Sequence, residues 1–156
     1  MKYYFIILSF ICAIKCNIEY LVVGEKANIK DFPHSAYLKV RCLKKNDVYS
    51  VCGASIVNQR IILTAAHCVD KCSTQDRLSV SVGNSHKKKG TLSSVRMVYK
   101  HENYRKRRIE NDISLLTLKT NLRLNHHVQR VALMKNPPYF EKAQVAGWGL
   151  VQVSNI

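Results

Sequence analysis

The 156-residue chain is predicted to be all-β and to close a six-stranded antiparallel barrel. Three observations predict this. Short segments rich in β-branched and aromatic residues recur between turns. Arg77-Leu78-Ser79-Val80-Ser81-Val82 alternates polar and apolar residues, as a half-buried strand does. Gly53, Asn58-Gln59, Gly83 and Gly90 punctuate the segments, with no internal repeat or low-complexity linker between them.

Six strands are expected in order. Tyr37 to Leu43 opens the series around Tyr37 and Val40, and Tyr49 to Val57 follows with Tyr49, Val51 and Ile56. Arg60 to Ala66 carries Ile61, Ile62 and Thr64, and Arg77 to Val82 is the alternating segment. Ser93 to Tyr99 and Asp112 to Leu118 complete the set. Closing these strands on themselves removes the exposed edges that an open sheet would leave.

The most informative residue is His67, framed by Leu63-Thr64-Ala65-Ala66-His67-Cys68. An imidazole is a general base near neutral pH because its ordinary pKa lies close to the working pH. It needs a partner on its other ring nitrogen to fix the tautomer, and a carboxylate held out of water also stabilises the imidazolium. Asn111-Asp112-Ile113-Ser114-Leu115-Leu116 supplies such a carboxylate at the start of an apolar strand. A charge entering an apolar run is costly unless it is hydrogen-bonded, so Asp112 is expected to have a dedicated partner, and His67 is the candidate.

Thr64-Ala65-Ala66-His67-Cys68, Asp112-Ile113-Ser114-Leu115-Leu116 and Ala146-Gly147-Trp148-Gly149, in that order, resemble the trypsin/chymotrypsin-type serine proteases. Cys52-Gly53-Ala54-Ser55-Ile56 resembles the strand ahead of that family's catalytic histidine. Leu21-Val22-Val23-Gly24 followed by Ala27 resembles the processed amino terminus of its mature members. Each piece alone is weak; five in order with matching gaps are specific. The resemblance implies a Greek-key barrel, the first of two, spanning 21–136 with His67 as general base and Asp112 as its orienter. It implies that 137–156 holds a crossing segment at Pro137-Pro138 and then the first strand of a truncated second barrel, over Ala143 to Val151. The substrate implied is protein or peptide, cut by acyl transfer.

The chain departs from the family pattern in the nucleophile. The Gly-Asp-Ser-Gly-Gly setting is absent from its 156 residues. Ser55 sits in a structural strand and Ser154 in the last residues, so neither is a substitute. Without the missing half there is no oxyanion hole and no specificity pocket, and the polypeptide as written is expected not to be a competent protease. The alternative is a non-catalytic homologue that binds proteins or polyanions. Tyr20, where the family usually has a basic residue, precedes Leu21; 17–20 reads as a short propeptide, or Leu21 is simply the first strand residue. A lone first barrel is also expected to leave Trp148, Leu150 and Val151 short of packing partners.

Met1 to Ile14 reads as a secretory signal, with Lys2 before an apolar run too short to favour a membrane span. Cleavage after Ala13 or after Cys16 fits, and the second gives a signal segment 1–16. Roughly 140 residues then remain, enough for one domain with a core. Export to the extracellular space permits disulfides. Cys12 leaves with the signal, as does Cys16 when cleavage follows it, and Cys42, Cys52, Cys68 and Cys72 allow three connectivities. The family resemblance implies Cys52 with Cys68, leaving Cys42 with Cys72. Zinc held by Cys68, Cys72, His126 and His127 fits no familiar module.

Charge is strongly positive, with 25 Lys+Arg against 10 Asp+Glu. It concentrates in Lys87-Lys88-Lys89 and Arg105-Lys106-Arg107-Arg108, which read as solvated loops or as a polyanion site. Aromatic interleaving is sparse, with Tyr99 and Tyr104 nearby, which argues against nucleic acid as a partner. The Gly83 to Gly90 turn has no carboxylate, so no calcium is expected there, and no cofactor is expected elsewhere.

Overall fold

A computed structural model describes residues 25–41, 49–70, 77–136 and 142–149. Six strands form: β1 (Ser35–Arg41), β2 (Tyr49–Ile56), β3 (Ile61–Thr64), β4 (Arg77–Val82), β5 (Thr91–Lys100) and β6 (Ser114–Leu118). One short helix, α1 (Ala66–Val69), follows β3. The strands close a barrel in the order β1-β2-β3-β6-β5-β4, all pairs antiparallel. The expected six-stranded barrel is therefore present, and its chain crossings from β3 to β6 and β4 to β1 give the Greek-key order.

The interior follows the period-2 pattern of the sequence. Ala36, Leu38 and Val40 of β1 point inward, as do Leu78, Val80 and Val82 of β4 and Leu116 and Leu118 of β6. Ile56, Ile62, Val69, Leu122 and Val128 complete the core. In β5 the pattern changes midway. A register irregularity between Val95 and Met97 inserts one residue, so Val95 and then Val98 pack inward although three positions separate them. The same shift turns Met97 and Tyr99 outward, where both are exposed.

Buried hydroxyls are mostly satisfied across strands. Thr64 Oγ1 donates to the Gly53 carbonyl at 3.0 Å, and Ser114 Oγ donates to the Tyr99 carbonyl at 3.0 Å. Both bonds lock β3 and β6 to their neighbours close to the ends that carry the histidine and aspartate. Gly83, at φ 80°, makes the turn out of β4 that a side chain would strain, and a Cβ there would lie 2.9 Å from Val128 Cγ2.

Several expected boundaries shift. The third strand ends at Thr64, and Ala66 begins α1 instead of closing the strand. The sixth begins at Ser114, so Asp112 precedes the ladder. The strand expected over Ala143 to Val151 is not formed in its described part, 143–149, because no described strand pairs with it and an isolated strand leaves its backbone groups unbonded. That segment is instead held by Trp148, whose Nε1–H donates to the Ser85 carbonyl at 2.6 Å and whose ring meets Tyr37 edge-on at 5.7 Å. Trp148 is thus half-buried, while Leu150 and Val151 lie outside the described residues. The signal, the 21–24 segment, Cys42 and Cys72 also lie outside them. Among the described residues no helix is long and apolar enough to cross a membrane.

Candidate active site

His67 stands on a single helical turn. Ala66 and Val69 are buried and pull α1 onto the barrel, which leaves His67 on the opposite, exposed side. The Cys52–Cys68 disulfide fastens the same turn to β2. Ala65 offers no side-chain cap, so packing and the disulfide, not capping, define where the turn begins.

Asp112 is aimed by two unusual backbone positions. Asn111 takes a left-handed conformation (φ 52°), which its short polar side chain tolerates better than most, and its Nδ2 donates to the Asn103 carbonyl at 3.0 Å. Ile109 takes a similar φ of 54°, which for a β-branched residue stores strain. Arg105 and Glu110 exchange backbone hydrogen bonds of 3.0 and 3.3 Å, closing a small hairpin just before Asp112.

The two residues meet through both carboxylate oxygens. His67 Nδ1 lies 2.7 Å from Asp112 Oδ2, and the His67 backbone N–H donates to Oδ1 at 2.7 Å. An ionised carboxylate can only accept, so Nδ1 donates to it, and in the neutral ring Nε2 is then the nitrogen with the lone pair. The Asp112 side chain is 18% exposed and the imidazole 58%. The carboxylate is therefore largely withdrawn, while the ring remains open to approach. The requirement read from the sequence, a dedicated partner for a charge entering an apolar strand, is met by His67.

Bonding sets the electrostatics of Asp112. The side-chain hydrogen bond from His67, then the backbone bond from the same residue, hold its carboxyl below the ordinary value of 3.8, against an opposing push from burial. Asp70 is lowered too, first by its hydrogen bond from Lys106. A carboxyl depressed in the folded state stabilises the fold above its unfolded pKa, and that contribution is lost as pH falls through the folded value. Urea midpoints are accordingly expected to fall on acidification below about pH 4, with a smaller fall in Asp112→Asn. Equal slopes for the two proteins would remove Asp112 as a source of the acid sensitivity.

Cys52, His67 and Cys68 place two sulfurs and a ring nitrogen within 4.8 Å of one another. The sulfurs are joined in the disulfide and so are not the thiolates a soft metal requires. Nε2 lies 3.5 Å from Cys68 Sγ. A cleft of about 310 Å³ on the barrel, between the start of β1, β2 and residues 144–148, is lined by neither His67 nor Asp112. His126 and His127 lie in the Asn125–Val128 turn, away from any described cysteine cluster.

The sequence reading missed Asp70, which accepts from Lys106 Nζ at 2.8 Å and Lys100 Nζ at 3.3 Å. The only available signal was an acid three residues after His67 in a chain rich in cations.

The Trypsin family signature matches residues 21–155. Trypsin delta of Drosophila erecta is 33% identical over 131 residues, covering 83% of this chain and 49% of that protein. Hypodermin-B of Hypoderma lineatum is 35% identical over 133 residues, covering 84% and 49%. Among solved structures, the scabies mite inactivated protease paralogue S-I1 superposes with a TM-score of 0.65 at 26% identity, covering 74% of this chain and 51% of that one. The chain spans about half the length of these curated relatives. With the signature covering nearly the whole sequence, the barrel closed in the expected order and a carboxylate on the imidazole, the chain belongs to the trypsin family of serine proteases.

Proposed function

We propose that this chain carries the general-base half of a secreted serine endopeptidase, with the serine that completes the triad contributed by sequence outside residues 1–156. The observation that carries this reading is the doubly bonded His67–Asp112 pair, which engages Nδ1 and leaves Nε2 as the outward nitrogen of an exposed ring. In the proposed reaction, Nε2 takes the proton from the serine hydroxyl as its oxygen attacks the scissile carbonyl. Asp112 stabilises the imidazolium, and the proton passes to the leaving amine. Water, activated by the same imidazole, then releases the acyl group. Secretion is supported by the apolar start of the sequence and by the Cys52–Cys68 disulfide, which suits an oxidising compartment. The test is a transcript read through its 3′ end and expressed whole. A product that encodes Gly-Asp-Ser-Gly-Gly and is phosphorylated by an organophosphate at that serine, with loss of the reagent's leaving group, supports the reading. A stop codon after Ile156 overturns it.

A second reading, a homologue that binds rather than cuts, is favoured by the likeness to an inactivated paralogue and by one charge asymmetry. In the second basic run, Lys106 meets Asp70 at 2.8 Å, while Arg105 and Arg108 lie 3.9 and 3.7 Å from Glu110. Lys87, Lys88 and Lys89 are exposed in a turn and meet no acid among the described residues. A polyanion would therefore find its uncommitted charge at 87–89. On this reading, glutamine at Lys87, Lys88 and Lys89 lowers the salt needed for elution from heparin more than glutamine at Arg105, Lys106 and Arg108 does. The reverse order would sink it.

A further inference from the structure

We propose that Asp70 is a positioning residue for His67, clamping the far end of the histidine's helical turn to both arms of the loop that presents Asp112. The inference rests on the reading of His67 and Asp112 as the catalytic pair.

A four-residue helix cannot fix the direction of a side chain by its own hydrogen bonds, because a single turn does not repay the cost of nucleation. One side of α1 is held by the Cys52–Cys68 disulfide and by burial of Ala66 and Val69. At its end, the Asp70 side chain is bonded by Lys106 and Lys100. Their positions are informative. Lys100 is the last residue of β5 and pairs in register with Ser114, two residues after Asp112. Lys106 sits in the Arg105–Glu110 hairpin, which closes two residues before Asp112. One carboxylate therefore ties the histidine turn to the chain on either side of its partner.

The burial pattern agrees. The Asp70 side chain is 19% exposed, against 40% for Lys100 and 59% for Lys106, so the acid is fixed in place and the cations reach in to it. The Tyr104 phenol is pushed up first by burial and then by the charges of Asp70 and Asp112, so both acids act on one ring. Partly exposed ion pairs add little to global stability. The expected consequence of losing this one is local: the imidazole wanders relative to Asp112 while the barrel persists.

A proton NMR measurement on the full chain separates these effects. A His67 Nδ1–H bonded to a carboxylate gives a resolved downfield resonance whose exchange with water reports how permanently the bond is held. In Asp70→Ala that exchange is expected to accelerate roughly tenfold or more, with a thermal midpoint shift of only a few degrees. Asp70→Glu, which keeps the charge, should restore much of the protection. Lys106→Met tests the same clamp from the other side and serves if Asp70→Ala does not fold. Wild-type exchange in Asp70→Ala, or in Lys106→Met where that is the variant that folds, would overturn the positioning role and leave the pair itself intact. A wild-type chain with no such resonance would instead overturn the His67–Asp112 reading, and the inference with it.

Discussion

Replacing His67 with alanine, in a polypeptide that also carries the serine, is expected to lower kcat by about 10⁴-fold or more and to leave KM nearly unchanged. The magnitude is that found for the triads of related enzymes. The direction follows from the geometry described above. Nε2 is the open lone pair, and its removal leaves the serine hydroxyl without an acceptor for its proton. Asp112→Asn should be nearly as damaging for a different reason. The asparagine amide can present N–H groups to Nδ1, which favours the tautomer protonated at Nε2 and occupies the lone pair the reaction needs. Because His67 is exposed and its backbone bond to the Asp112 side chain is one contact among many, the fold should persist in His67→Ala. Turnover within tenfold of wild type in a folded His67→Ala enzyme would exclude it as the general base.

The largest stability effect is expected at Leu38. Leu38 is fully buried in β1, a strand bonded on both sides, and stands opposite Cys52 of β2 and Val80 of β4. Leu38→Ala removes three carbons from the centre of a closed barrel whose ladders limit how far the walls can collapse. The expected loss is about 3 kcal/mol, combining lost transfer energy with the cavity left behind. For a domain of this size that corresponds to a fall in Tm of roughly 10 °C. Leu92 is the internal comparison. It is 69% exposed on β5, and Leu92→Ala should cost less than about 0.5 kcal/mol. Calorimetry on the two variants would check the barrel's inside and outside together. Similar midpoints would contradict the assignment of the core.

Much of this molecule is legible in local chemistry. Strand alternation is a period-2 property of the sequence, so β4 could be read residue by residue, and the inward faces of β1 and β6 follow the same rule. The His67–Asp112 pair was legible because a charged residue at the head of an apolar strand demands a partner, and few side chains nearby could serve. The ends of elements were harder. Thr64 ends β3 because the chain must leave the ladder to present His67, and Asp112 falls outside β6 because Asn111 bends the backbone into the left-handed region. Neither turn is coded by proline or glycine.

The sequence by itself determined the strand pattern, the pairing of His67 with Asp112, and the excess of positive charge. Only the tertiary structure decided which charges are committed. Asp70 lies 30 and 36 positions from Lys100 and Lys106, and nothing local marks them as partners until the barrel brings α1 against the end of β5. The same folding divides two similar basic runs into one largely matched by acids and one left open to solvent. The β5 irregularity that turns Met97 and Tyr99 outward is likewise a consequence of closing a curved sheet. Periodicity, capping and desolvation act over a few residues and can be read along the chain. Pairing between distant charges depends on where the backbone finally runs.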